Sequence, residues 1–119
     1  MLGEEAACRY LKKKGWRMIA KNVRMGRDEL DILAVSPDEQ TLAIIEVRST
    51  ANEKRKPELT ITKKKRTAML RVAKKLVGLA KKHDCELRVD IVSVVLKAKN
   101  PHIVHFENAI PIGRPRKSL

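Results

Sequence analysis

Asp31 and Glu46 are the residues of this chain whose type and spacing could do chemistry. Each sits in a short apolar run, Asp28-Glu-Leu-Asp-Ile-Leu-Ala-Val35 and Thr41-Leu-Ala-Ile-Ile-Glu-Val-Arg48. Between the runs lies Ser36-Pro-Asp-Glu-Gln40, whose Pro and Asp are turn formers, so the two runs read as a β-hairpin. A tight loop over 37–40 pairs Ser36 with Thr41, and the same register sets Asp31 opposite Glu46 and Glu29 opposite Arg48. Side chains alternate along a strand, which puts Glu29, Asp31, Glu46 and Arg48 on one face. Like charges opposed across strands are destabilising, and desolvated carboxylates cost more still. A bound cation would offset both costs. Two carboxylates with nearby carbonyl and water oxygens suit a hard divalent ion such as Mg²⁺ or Mn²⁺. Such an ion can polarise a phosphodiester and stabilise its leaving oxygen.

Other reactive constellations are thin. His102 and His105 cannot share a strand face and have no cysteine beside them, which argues against a zinc site. Ser49 and Thr50 follow the second acid, but no histidine is near them in sequence to activate a hydroxyl. Cys8 and Cys85 lie in Ala- and Leu-like contexts and read as small hydrophobes of a reducing compartment.

The elements that must position the acids are legible from periodicity. A helix is expected over 3–14, with Glu4 and Glu5 at its positive end, an apolar stripe of Ala7, Tyr10 and Leu11, and Gly15 as its stop. Trp16 to Arg24 alternates loosely as a strand, with Trp16, Met18 and Ala20 against Arg17, Ile19 and Lys21, and Met25-Gly26-Arg27 turns it into the hairpin. On the hairpin, Leu33, Val35, Leu42 and Ile44 share the acidic face; Leu30, Ile32, Ala34, Ala43, Ile45 and Val47 take the other. Apolar groups on both faces imply a sheet covered on both sides. Residues 49–61 read as a long polar loop. Thr62 is a natural N-cap for a helix over 63–82, whose Met69, Val72, Ala73, Leu76 and Ala80 repeat at helical spacing. Arg71, Lys74, Lys75 and Lys82 fall on its outer face. Strands follow at 87–97 and 102–107. Asp90, in the first of these, reads as a strand-end hydrogen-bond acceptor in preference to a support for the acid site. The expected organisation is one domain over 1–112 and a mobile basic tail over 113–119.

Charge is concentrated. The net charge is +13, and residues 53–83 carry 12 basic and 2 acidic side chains, ten of the thirteen excess charges. That is an electrostatic footprint for a polyanion, with nucleic acid the leading candidate. Lys63, Lys64, Lys65 and Arg66 crowd the first turn of the long helix against its dipole, an arrangement that makes sense when phosphates approach. Tyr10, Trp16 and Phe106 are the only aromatic residues, too few for binding by base stacking. Phosphate-backbone recognition fits better. No signal peptide follows Met1, and no apolar run approaches the roughly 20 residues a span needs. A soluble, cytoplasmic protein with no membrane partner is expected.

Gly3-Glu4 with Ala7, Tyr10-Leu11, Gly15-Trp16, Asn22-Val-Arg24, Asp28-Glu-Leu-Asp31, Glu46-Val-Arg48, Lys65, Ala73, Arg88-Val-Asp-Ile-Val92 and Asn108-Ala-Ile110 resemble, in order and over nearly the whole chain, the YraN-like family of uncharacterised bacterial proteins. That family is assigned to the PD-(D/E)XK nuclease superfamily. The resemblance implies an α/β fold with a restriction-endonuclease-like core, a central mixed β-sheet flanked by α-helices, similar to archaeal Holliday junction resolvases. It implies that Glu4 (with Glu5 as the adjacent candidate) is the helix glutamate, Asp31 the metal-binding aspartate and Glu46 the motif acid. It implies Mg²⁺ or Mn²⁺ as cofactor, DNA as partner and, by analogy, a homodimer. The chain departs from the pattern at Arg48, where the superfamily has a lysine; arginine does not give up its proton at neutral pH. Two functions stay open, with a third behind them. One is a metal-dependent DNA endonuclease with Glu4, Asp31, Glu46 and Arg48 at the scissile phosphate, and Lys54, Arg55, Lys56, Lys63, Lys64, Lys65, Arg66, Arg71, Lys74 and Lys75 available to the nucleic-acid backbone. The other is a catalytically impaired nucleic-acid-binding module in which Arg48 clamps phosphate. A structural basic protein of a nucleoprotein particle would gain nothing from the acid pair.

Overall fold

Gly15, at φ +94°, lets the chain leave its first helix at once. Helix α1 spans Leu2–Lys13 and strand β1 follows at Arg17–Met25; β2 is Asp28–Val35 and β3 is Thr41–Thr50. A single 3₁₀ turn, Pro57–Thr60, precedes helix α2 over Lys63–Lys82, and the chain closes with β4, Glu86–Val95, and β5, His102–Phe106. These elements come from a computed structural model, which describes residues 2–97 and 99–113; of the tail expected over 113–119, residues 114–119 lie outside the described residues.

The five strands form one sheet in the order β1-β2-β3-β4-β5. β1–β2–β3 is an antiparallel meander, β3–β4 is parallel, and β5 returns antiparallel on β4. A parallel pair needs a crossover, and α2 supplies it. The result is the α/β architecture expected, a mixed sheet with a helix on each side. One face packs Leu33, Val35, Leu42, Ile44 and Val89 against Met69, Val72, Ala73 and Leu76 of α2. The other packs Ile32, Ala34, Ala43, Ile45, Val92 and Val94 against Ala7, Cys8 and Leu11 of α1. Thr62 caps α2, its Oγ1 accepting from Lys65 N at 3.0 Å. No helix among the described residues is long and apolar enough to cross a membrane.

Two departures from simple alternation matter for the site. Leu30 belongs to the α2 face, not with Ile32 on the α1 face. In β1, Trp16 and Met18 lie on the α1 side, while Ala20, Val23 and Met25 pack on the α2 side. The register against β2 shifts between Met18 and Ala20, a bulge that leaves Ile19 exposed. Asn22, next along, takes φ +51°. β3 also runs two residues further than expected, since Ser49 and Thr50 pair with Val94 and Val95.

Candidate active site

The hairpin register runs from Val35↔Leu42 to Ile32↔Ile45, as the turn chemistry implies, and then the strands separate. Asp31 stands at the fork. Its Oδ2 accepts the Val47 N–H at 2.9 Å, so the carboxylate replaces a ladder hydrogen bond and is held in the gap. Glu46, at 5 % exposure, points to the α2 side beside it. Its carboxyl has that of Asp31 as a like-charged neighbour, which disfavours ionising Glu46. Burial, then the Asp31 charge, push Glu46 up to about 7, against the pull of Lys65 and Arg48.

Two cations approach Glu46 from different elements. Arg48 Nη1 lies 3.5 Å from Oε2, and Lys65 Nζ, from the first turn of α2, lies 3.5 Å from Oε1. Arg48 is also tied to the 3₁₀ turn, its Nε donating to Thr60 Oγ1 at 3.0 Å and its Nη2 to the Thr60 carbonyl at 3.4 Å. Glu29 does not meet Arg48. It is exposed and faces Arg24 at 3.5 Å, because the splay of β3 at Asp31 carries Arg48 away from β2. The expected quartet is thus a trio of Asp31, Glu46 and Arg48, with Lys65 as a member that sequence spacing could not supply.

Glu4 rides on α1, the helix on the opposite side of the sheet from Lys65. α1 approaches β3 closely: a Cβ on Gly3 would meet Ser49 Oγ at 2.7 Å and Ser49 Cβ at 2.8 Å. With α1 this close, Glu4 lies within range of the Asp31 charge. Burial foremost, and then the Asp31 charge, raise its carboxyl above the usual range, while a hydrogen bond with Asn22 pulls it down. Glu5 is exposed, so Glu4 is the helix acid that faces Asp31. Glu4, Asp31 and Glu46 are not gathered into one three-ligand cluster, and no such cluster exists among the described residues. The chemistry of the donor set, two neighbouring carboxyls with Glu46 buried and raised, still fits a divalent cation. Asp31 and Glu46 could hold it, with Glu4 able to reach Asp31 from the α1 side.

The basic residues divide by position. Lys54, Arg55 and Lys56 are exposed on the segment that leads into Thr60. Lys63 and Lys64 are exposed at the start of α2, and Arg66 lines a cleft toward β5 with Lys56 and Glu107. Arg71 is not on a solvated outer face. It turns into the β2 start, Nε and Nη2 donating to Asp28 at 2.9 and 2.8 Å. The Asp28 carboxyl is held below the usual range by that guanidinium. Lys75 donates to the Met25 carbonyl at 3.4 Å, whereas Lys74 is exposed.

Asp90 is fully buried and takes no part in the acid pair. It accepts Arg88 Nε at 2.8 Å, Arg88 Nη2 at 2.9 Å and Asn108 N at 2.9 Å, and it meets His105 Nε2 at 2.7 Å. It is a hydrogen-bond acceptor, as expected, but in the middle of β4 and not at a strand end.

Fold and site together define an α/β protein with an acid pair at a sheet fork, flanked by cations from a helix and a loop. The chain belongs to the uncharacterised protein family UPF0102, whose family model matches residues 3–94. It is 33% identical over 96 residues to a UPF0102 protein of Prosthecochloris aestuarii, covering 80% of this chain and 74% of that one. It is 30% identical over 113 residues to a UPF0102 protein of Pelobacter propionicus, covering 93% and 81%. Among solved structures, SfsA of Pyrococcus furiosus in complex with Ca²⁺ aligns with a TM-score of 0.39 and 10% identity, over 89% of this chain and 60% of that one. The family membership agrees with the YraN-like resemblance of the sequence.

Proposed function

We propose that this protein is a divalent-metal-dependent nuclease that hydrolyses phosphodiesters of nucleic acid, with DNA the expected substrate. The observation that carries the reading is the Asp31–Glu46 pair, with Glu46 buried and raised to about 7. A fold keeps two carboxyls as neighbours at such cost when something positive is to come between them. A bound Mg²⁺ or Mn²⁺ would supply phosphoryl polarisation and leaving-group stabilisation. Asp31, oriented by Val47 N–H, and Glu46 would hold it. Arg48 cannot surrender a proton, so its role is a fixed positive charge toward phosphate, braced by Thr60. Lys65 brings a second cation to the same carboxylate, a compact ammonium able to orient water beside it.

The second reading, a nucleic-acid-binding module without efficient cleavage, is favoured by one observation. Arg48 is tied at both ends, to Glu46 and Thr60, and so is poorly free to serve the reacting phosphate. Purified protein incubated with plasmid, single-stranded and junction DNA plus Mg²⁺ or Mn²⁺ separates the readings. Cleavage should be lost in Asp31→Ala and fall steeply in Lys65→Ala, while Lys65→Arg should not restore it. Cleavage by Arg48→Lys alone, with none by the native chain, would favour the binding module. Cleavage that survives Asp31→Ala would sink the metal-site assignment.

A further inference from the structure

A groove of about 840 Å³ lies between the β1–β2 turn and the first turns of α2, lined by cations from both sides, Arg24 and Arg27 from the turn and Lys64, Lys65 and Arg71 from the helix. Its two acids are already matched, Asp28 by the two hydrogen bonds from Arg71 and Glu29 by Arg24 at 3.5 Å. Arg27 and Lys64 line the groove and enter no ion pair within 4.0 Å among the described residues, Arg27 acting on Asp28 only at longer range. Lys65, which lines the groove, also holds its ammonium 3.5 Å from Glu46, so the groove adjoins the acid pair. Helix α2 has no acid in its first turn to balance Lys63, Lys64, Lys65 and Arg66. Cations there oppose the helix dipole, a cost that a polyanion in the groove would offset.

The aromatic residues decide what kind of strand fits. Trp16 is buried with its ring against His105, Tyr10 packs at the α1 face with Lys14 over its ring, and Phe106 packs against the α2-side core from β5. None lines the groove. Single-strand binders depend on aromatic platforms for the exposed bases, and a duplex instead presents phosphates with its bases stacked away. We propose that the groove between the β1–β2 turn and α2 binds one phosphate backbone of a double-stranded nucleic acid, without base readout, and leads it to Asp31 and Glu46. This rests on the nucleic-acid reading above and fixes its substrate class.

The test is metal-free binding of the full chain to a labelled DNA duplex and to a single strand of equal length, followed by fluorescence anisotropy across a salt series. The native chain should prefer the duplex. Arg27→Gln with Lys64→Gln should weaken duplex binding by about tenfold and make the salt slope shallower by roughly 1.8, the loss of two phosphate contacts. The charge-keeping pair Arg27→Lys with Lys64→Arg should retain native affinity. Lys81→Gln with Lys82→Gln, an equal charge loss at the far end of α2, should leave affinity within about twofold. Native duplex binding that is unchanged in the groove double variant would overturn the groove while leaving the nucleic-acid reading intact. Tighter binding of the single strand would overturn the duplex class. Failure of the native chain to bind either would overturn the nucleic-acid reading itself, and the groove with it.

Discussion

Glu46 is where the physical cost of the site is concentrated. Its carboxyl is raised from an ordinary glutamate value of 4.5 to about 7, so the folded state holds a proton that the unfolded chain has released. The sign follows. Below about pH 4.5 both states are protonated and the group is neutral to stability. Between 4.5 and 7 stability falls as pH rises, and above 7 the penalty is complete, on the order of 3 kcal/mol. Thermal melts of the metal-free protein should therefore show a native-minus-Glu46→Gln difference that grows between pH 5 and 8. Mg²⁺ or Mn²⁺ should raise the native melting temperature at pH 8 more than at pH 5, since the ion binds the deprotonated pair. The same ion should do nothing for Asp31→Ala. A flat native-minus-variant difference across that range would remove the raised Glu46 carboxyl, and with it the main argument for a cation.

At the scale of elements, the site is a matter of how two helices and a fork meet. Gly3 is the contact between α1 and β3, where a methyl group would sit under 3 Å from both Ser49 side-chain atoms. Gly3→Ala should lower stability by about 1–3 kcal/mol in denaturant unfolding, and Ser49→Gly added to it should recover most of the loss. Thr62 sets where α2 begins and thereby where Lys65 lands. Thr62→Ala should lower stability by about 1 kcal/mol. Because the cap bonds Lys65 N itself, the same change should also weaken cleavage more than that small loss of folded protein explains. The helices and strands themselves were legible, because 3.6- and 2-residue periodicities and the Gly15 and Thr62 boundary residues are local signals. The bulge between Met18 and Ala20 and the face change at Asp31 were not. Both arise where strands stop matching each other, and no single strand's pattern records that.

The whole molecule is held on its α1 side by a buried polar network. Asp90 of β4 joins Arg88, His105 of β5 and the backbone at Asn108, with Arg88 also 5.9 Å over the Trp16 ring. Every member has a partner; no buried side-chain nitrogen or oxygen among the described residues is left without one. Asp90→Asn should cost about 3 kcal/mol in urea unfolding, because it takes the buried carboxylate from Arg88 and leaves that charge only the exposed Glu107 at 3.6 Å. Its carboxyl is held below the usual range despite burial, by His105 and Arg88. Its contribution is therefore present above the ordinary aspartate range and fades as pH falls through the lowered value. Trp16 fluorescence should report the change. Folded Asp90→Asn protein should keep nucleic-acid binding, since the network lies apart from the groove and the acid pair.

By itself, the sequence determined the α/β class, the span of α2, the hairpin register and the charge concentrated in residues 53–83. These rest on periodicity, turn chemistry and composition, which act over a few residues or over the whole chain. It also determined that Asp31 and Glu46 would be neighbours, because a two-strand register follows from the loop between them. Tertiary structure alone decided the partners. The strands part at Asp31 and send Arg48 to Thr60 instead of Glu29. α1 presents Glu4 and not Glu5, and α2 swings Lys65 onto a carboxylate nineteen positions earlier in the chain. Arg24 and Arg27, which no periodicity marked, become one wall of a groove whose other wall is α2. Contacts of this kind depend on how helices cross a twisted sheet, and that geometry exists only once the layers have packed.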